Sequence, residues 1–216
     1  MKAILVFIFS LIFQIGYGQL FVKSEQDTIT QIKIVDGYYI ENVFTAEKGH
    51  FVYSRGGFIH EGSPNQIHLE FNSNYESDGL RTIDLPNLNS FSPLPIQTQE
   101  LDGAWLMGGR VRDGETQLRD TSGPRKTLKL LFNGQFQWIA FHTETMRFLG
   151  TGGGSYTASK GQYIENIMFF SRDNTRVGAS LSFDFEIKEG AWHHKGLSSK
   201  GQPIHEIWVK RTELKR

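Results

Sequence analysis

The chain has 216 residues, enough for one large domain or two small ones, and its 23 Lys and Arg balance its 23 Asp and Glu. That balance argues against a nucleic-acid binder, which would normally carry a basic excess. The chain has no cysteine, which excludes disulfides, thiolate metal sites and a cysteine nucleophile.

Residues 1–18 read as a signal peptide. Lys2 precedes an apolar run from Ala3 to Phe13, and the small-x-small triplet Gly16-Tyr17-Gly18 places cleavage before Gln19. The run is short for a transmembrane helix, and no later segment approaches about 18 apolar residues, so no stable membrane anchor is expected. A lipoprotein anchor would need a cysteine at the cleavage site. The expected destination is the periplasm or the exterior.

From Gln19 onward the apolar residues recur at period two, the mark of half-buried strands. Residues 19–85 read as an incomplete β-meander, with turn signals at Asp36-Gly37 and Asp78-Gly79. Residues 86–99 read as a linker, because Pro86, Pro93 and Pro95 interrupt a stretch without periodicity. Residues 100–216 read as a β-barrel. Strands are expected near 103–112, 127–132, 135–142, 145–150, 153–159, 162–171, 179–188, 190–197 and 204–211. Hairpin signals fall between them at Asn133-Gly134, Lys160-Gly161, Glu189-Gly190 and Lys200-Gly201. "SLSFDFEIK" is the clearest, with Leu181, Phe183, Phe185 and Ile187 on one face and Ser182, Asp184, Glu186 and Lys188 on the other. Eight or nine sequential hairpin strands close into an up-and-down barrel, and closure removes the sheet edges. The fold class is therefore all-β.

The chain also resembles itself at a shift of 97 residues. "TQIKIVDGYYIENVFTAEKGHFVYSRGG" (30–57) aligns without a gap on "TLKLLFNGQFQWIAFHTETMRFLGTGGG" (127–154), and the identities include Gly37/Gly134, Phe44/Phe141, Phe51/Phe148 and Gly56-Gly57/Gly153-Gly154. The first copy has no counterpart of 179–211. It has too few strands to close, so it is expected to pack on the barrel or to form a homodimer through its sheet.

Gly103-Ala104-Trp105 on the first barrel strand and "EIWVKR" on the last form a pattern that resembles the lipocalin-like (calycin) proteins. The block from Gly150 to Arg211 is also similar to exported bacterial lipocalin-like proteins of unknown function. The resemblance implies a barrel whose closed end is plugged by Arg211 lying across Trp105, through a cation–π contact. It assigns no reaction and no ligand.

No G-x-S-x-G, H-E-x-x-H, Walker loop or EF-hand is present. In the last hairpin, a turn at "SSKG" (198–201) would pair Leu197 with Gln202, set His194 opposite His205 and set His193 opposite Glu206. Such a cluster could serve an enzyme or hold a metal, but a zinc site usually needs a third protein ligand and none is evident. Polar residues on an exposed hairpin are the other reading. Asp184 and Glu186, about 6–7 Å apart on one strand face, could do carboxylate chemistry or simply face water. Arg172 and Arg176 in "SRDNTR" could bind an anion or belong to a polar loop.

The aromatic residues are the remaining lead, with 17 Phe and 4 Trp. Trp105, Phe136, Trp138, Phe183, Phe185, Trp192 and Trp208 are candidates to line a barrel interior, and His142 could place a polar group among them. Filled by such side chains a barrel is solid, and slightly wider it holds a small apolar molecule. The glycine run "RFLGTGGGSYT" (147–157) has no following helix and no P-loop lysine, so it is not a phosphate cradle. Gly153 and Gly154 are read as positions where the strand bends. The leading function is binding a small, mainly apolar ligand in the barrel, with no cofactor. The alternatives are a cell-envelope interaction module without a ligand and an enzyme using His193, His194, His205 and Glu206.

Overall fold

The structure is a computed structural model that describes residues 18–198 and 201–211; the signal-peptide reading falls almost wholly outside them. The chain forms two antiparallel sheets. The first contains β1 (Gln19–Glu25), β2 (Thr28–Val35), β3 (Tyr38–Thr45), β4 (Phe51–His60), β5 (Ser63–Asn72), β6 (Thr82–Asp84) and β7 (Ser92–Pro93), in the order β6-β5-β4-β3-β2-β1-β7. The second contains β8 (Gly103–Arg112), β9 (Glu115–Leu118), β10 (Arg125–Phe132), β11 (Gln135–His142), β12 (Phe148–Ser159), β13 (Gln162–Phe170), β14 (Ser180–Lys188), β15 (Ala191–Leu197) and β16 (Pro203–Lys210). β10 to β16 run as a meander, β16 pairs with β8, and β8 pairs back with β10, closing an eight-stranded up-and-down barrel. β9 lies outside this circle as a hairpin partner of the far half of β8.

Turn chemistry sets the register. Asp36 and Gly37 have φ of 50° and 78°, and Asn133 and Gly134 have 56° and 69°, the two positive values that a type I′ hairpin requires. The glycine run does not interrupt its strand, so the two strands expected at 145–150 and 153–159 are one, β12.

The internal repeat is present in three dimensions. β2 to β5 match β10 to β13 in register as far as Ile59, and two irregularities recur. The bulge at Val43/Phe44 recurs at Ala140/Phe141, and that at Gly56/Gly57 recurs at Gly153/Gly154. Ser54 Oγ donates to Glu41 O, and its counterpart Thr151 Oγ1 donates to Trp138 O. The copies also pack on each other in a reciprocal way. Phe44 stacks on Phe169 at 5.0 Å, while their counterparts Phe141 and Phe71 lie 5.2 Å apart. Phe51 stacks on its own counterpart Phe148 at 5.7 Å, with the rings 4° from parallel. The two repeats therefore face each other across a pseudo-two-fold axis.

This packing answers the question of the unclosed first copy. One face of the first sheet lies on the outer wall of the barrel, where Val35, Tyr38, Ile40, Phe58 and Phe71 share a core with Ala104, Leu106, Leu128, Leu130, Ile139 and Phe141. The opposite face carries Ile32, Ile34, Tyr39, Ile67 and Leu69, covered in part by Leu85, Leu88 and Phe91. The sheet ends in the three-residue β6 and the two-residue β7, which contains Pro93; short, proline-bearing edges disfavour further strand pairing.

The glycine pair lies beside a bulge in β13, where Gly153 pairs with Phe169 and Gly154 with Ile167, leaving Met168 as the extra residue. A Cβ on Gly154 would overlap the carbonyl oxygen of Asn166 on β13, a backbone atom that cannot rotate away. Gly154→Ala is expected to lower stability by about 2 kcal/mol, measured by urea unfolding, because crowding a packed site costs about 1–3 kcal/mol. Unchanged stability would show that β12 and β13 can separate there.

Candidate functional site

The barrel interior has a filled half and an open half. Strand alternation points Trp105, Met107, Leu131, Phe136, Tyr156, Tyr163, Phe183, Phe185, Trp192 and Trp208 inward, and these pack with Leu101 into one core. The closed end is sealed by residues just before β8. Gln97 N donates to Asn133 Oδ1, Ala158 N to Gln99 Oε1, and the Trp105 indole to Leu101 O at 2.9 Å. The stretch read as a linker therefore supplies both edge strand β7 and the barrel's floor.

Above this core is a cavity of about 330 Å³, lined by Trp138, Ile167, Phe170, Phe183, Ile204 and Trp208 among its apolar residues. Its polar lining is as prominent. Lys129, 5% exposed, lies 2.8 Å from Glu165, which also accepts a hydrogen bond of 2.7 Å from the Tyr163 hydroxyl. The Lys129 ammonium sits 4.9 Å from the Trp208 ring centroid, 5.1 Å from Trp192 and 5.4 Å from Tyr163, a cation–π box that compensates for lost water. His194, only 2% exposed, also lines the cavity, and its Nδ1 has no hydrogen-bond partner among the described residues. Burial, and then the Lys129 charge, push its pKa well below the ordinary histidine value, so its ring is neutral at physiological pH. Arg110, Arg119, Arg176 and Glu206 complete the charged lining.

Of the aromatic residues singled out from sequence, Trp138, Phe183 and Trp208 line the cavity. Trp105, Phe136, Phe185 and Trp192 belong to the filled half. His142 does neither. It is half-buried at the end of β11 and accepts a long hydrogen bond, 3.4 Å, from Thr145 N. Gly152, opposite Trp138, makes room for the aromatic wall, since a Cβ there would stand 2.7 Å from Phe170 and 2.8 Å from the Trp138 indole nitrogen.

Three sequence expectations are corrected. The last hairpin pairs Leu197 with Pro203, not Gln202, because Ser198 N bonds Gln202 O and the loop is one residue longer. His194 therefore faces Glu206 inside the barrel, while His193 lies outside. His193 Nδ1 is 3.0 Å from Nε2 of His205, its diagonal neighbour on the outer face. The barrel wall divides the four residues read as one cluster, so they cannot act together. Burial, followed by Lys188 and Lys195 for His193 and by Lys195 for His205, depresses both outer histidines.

The second correction concerns the closing cation. Lys210, not Arg211, lies over Trp105, with Nζ 5.4 Å from the ring, because Lys210 is the residue paired with Trp105 across β16 and β8. Arg211 turns to the opposite side and forms a bidentate ion pair with Glu70 of β5, both contacts 2.8 Å. The third correction is small: Arg172 donates to Leu149 O and Arg176 pairs with Asp173, so the two arginines do not converge on one anion site.

Lys129 and Glu165 were not singled out from sequence, and His194 and Glu206 were named only within a cluster with His193 and His205 that the true register divides. The available signal was pairing, since Lys129 lies opposite Trp105 and Trp138 and therefore shares their face. Asp184 and Glu186 are exposed on the outer wall. Among the described residues no group of three or more His, Asp or Glu could hold a metal ion. No family model matches the chain, and no curated protein matches it.

Proposed function

We propose that this is an exported, lipocalin-like carrier that binds one small, mainly apolar molecule in the upper half of its barrel. The observation that carries the reading is the cavity of about 330 Å³, lined by aromatic side chains together with the buried His194, whose Nδ1 has no partner among the described residues. A barrel built only for stability would fill that space with side chains, as its lower half does. The size suits a ligand of two or three rings. The aromatic walls give it flat contact area, and His194 offers one hydrogen bond of either sense, set by the tautomer. Export rests on Lys2 and the apolar run that follows it.

The test uses N-phenyl-1-naphthylamine, a neutral two-ring-system probe that fluoresces when transferred out of water. Saturable binding at one site per chain is expected. It should be lost in Ala179→Trp, which places an indole at the cavity mouth. Absence of saturable binding, or equal binding by the variant, would overturn the reading.

A further inference from the structure

We infer that the ligand of this cavity is an organic anion, with its rings inside the barrel and a carboxylate-like or sulfonate-like group at the mouth near Arg119, Arg110 and Arg176. The inference rests on the binding reading above and adds the charge of the ligand.

The argument begins with the inventory of the lining. Four basic side chains, Arg110, Arg119, Lys129 and Arg176, stand against two carboxylates, Glu165 and Glu206, and His194 is neutral. The carboxylates are already engaged. Glu165 takes both Lys129 and the Tyr163 hydroxyl. Glu206 accepts from the Trp208 indole at 3.3 Å and lies 3.8 Å from Arg110. A cationic ligand would therefore find no free carboxylate, and its natural seat among the rings is held by Lys129.

The cation excess is not spread evenly. Lys129 sits deep and is balanced, whereas Arg119 is exposed beyond the end of β9 and Arg110 lies near the end of β8. Arg176 reaches the cavity from the short turn at Asn174–Arg176, where Asp173 holds it at 3.1 Å from outside the lining. These guanidiniums border low-dielectric aromatic walls, which focus their field into the opening. Guanidinium recognises oxyanions with two parallel hydrogen bonds, so a planar carboxylate or a sulfonate fits better than a halide. His194 also lines the cavity as a neutral ring, so an uncharged polar group on the ligand's rings suits that wall better than a second charge.

The experiment compares two probes with one ring skeleton. 8-Anilinonaphthalene-1-sulfonate carries a sulfonate; N-phenyl-1-naphthylamine is its neutral counterpart. With the full chain at low salt, the sulfonate is expected to bind about tenfold tighter, as one charge-assisted contact provides. The double variant Arg119→Gln/Arg176→Gln should lose most of that preference and bind the neutral probe as the parent does. Added salt should weaken only the anion. Equal affinity for the two probes, or a preference that survives the double variant, would overturn the anion inference while leaving the cavity reading intact. Failure of both probes to bind would overturn both.

Discussion

Lys33→Met is expected to stabilise the protein, and by more at pH 7 than at pH 10. Lys33 is 1% exposed, in the middle of β2 between Leu20 and Ile40. Among the described residues its ammonium has one hydrogen-bond contact, 3.5 Å to Gln31 Oε1, too long for a strong hydrogen bond. Burial lowers its pKa from 10.5 to about 7. The unfolded chain holds the proton up to its ordinary pKa, so between those two values the unfolded state binds more protons than the folded one. Stability therefore rises with pH across that window and stays at its low value below it. The cost at pH 7 is on the order of 4 kcal/mol and vanishes above the ordinary lysine pKa. The corresponding position of the second repeat is Leu130, fully buried, which shows that the same backbone site accepts an aliphatic residue. Methionine keeps the length and loses the charge. Urea unfolding at pH 6, 8 and 10 checks this: the gap between variant and parent should shrink as pH rises. A destabilised variant, or a gap independent of pH, would show that the ammonium has a compensating role.

The opposite sign is expected where the two sheets are tied by charge. Glu70→Gln should destabilise the protein by about 3 kcal/mol, and Glu70→Gln/Arg211→Met should recover much of that loss. Arg211 and Glu70 have side chains 6% and 13% exposed, so both ions have left most of their water. The bidentate geometry, the Tyr38 hydroxyl donating to Glu70 at 2.9 Å, and the Tyr38 and Phe58 rings at 5.1 and 4.9 Å from the guanidinium compensate for that loss. Burial and the Glu70 charge hold the Tyr38 pKa well above its usual value, so the phenol stays a donor. Removing one ion of a buried pair strands the other and typically costs about 3–5 kcal/mol, whereas removing both with apolar replacements is often nearly neutral. Thermal unfolding of the two variants measures this. A single variant as stable as the parent would mean that water reaches Arg211. The same pair gives the C-terminal strand a hold on the first sheet, so loss of cooperativity between the sheets in the single variant is a second readout.

Much of the architecture was legible in the residues alone. Period-two alternation in β14, the Asp-Gly and Asn-Gly turns and the 97-residue repeat identified strands, hairpins and the matching halves, because each depends on neighbours along the chain. The same local rules placed Asp184 and Glu186 outside. What sequence could not decide was which face of a doubly apolar strand looks inward, as in β3, where seven of eight residues are buried. It also could not decide the register of the last hairpin, where one extra loop residue moved His194 and Glu206 inside and left His193 and His205 outside. Tertiary packing alone seated the first repeat on the barrel wall, swung Arg211 away from Trp105 to Glu70, and left the upper half of the barrel open beside His194. The reason is physical: alternation, turns and repeats are encoded within one or two strands, whereas a cavity, a buried ion pair and a docking face exist only after strands distant in the chain have met.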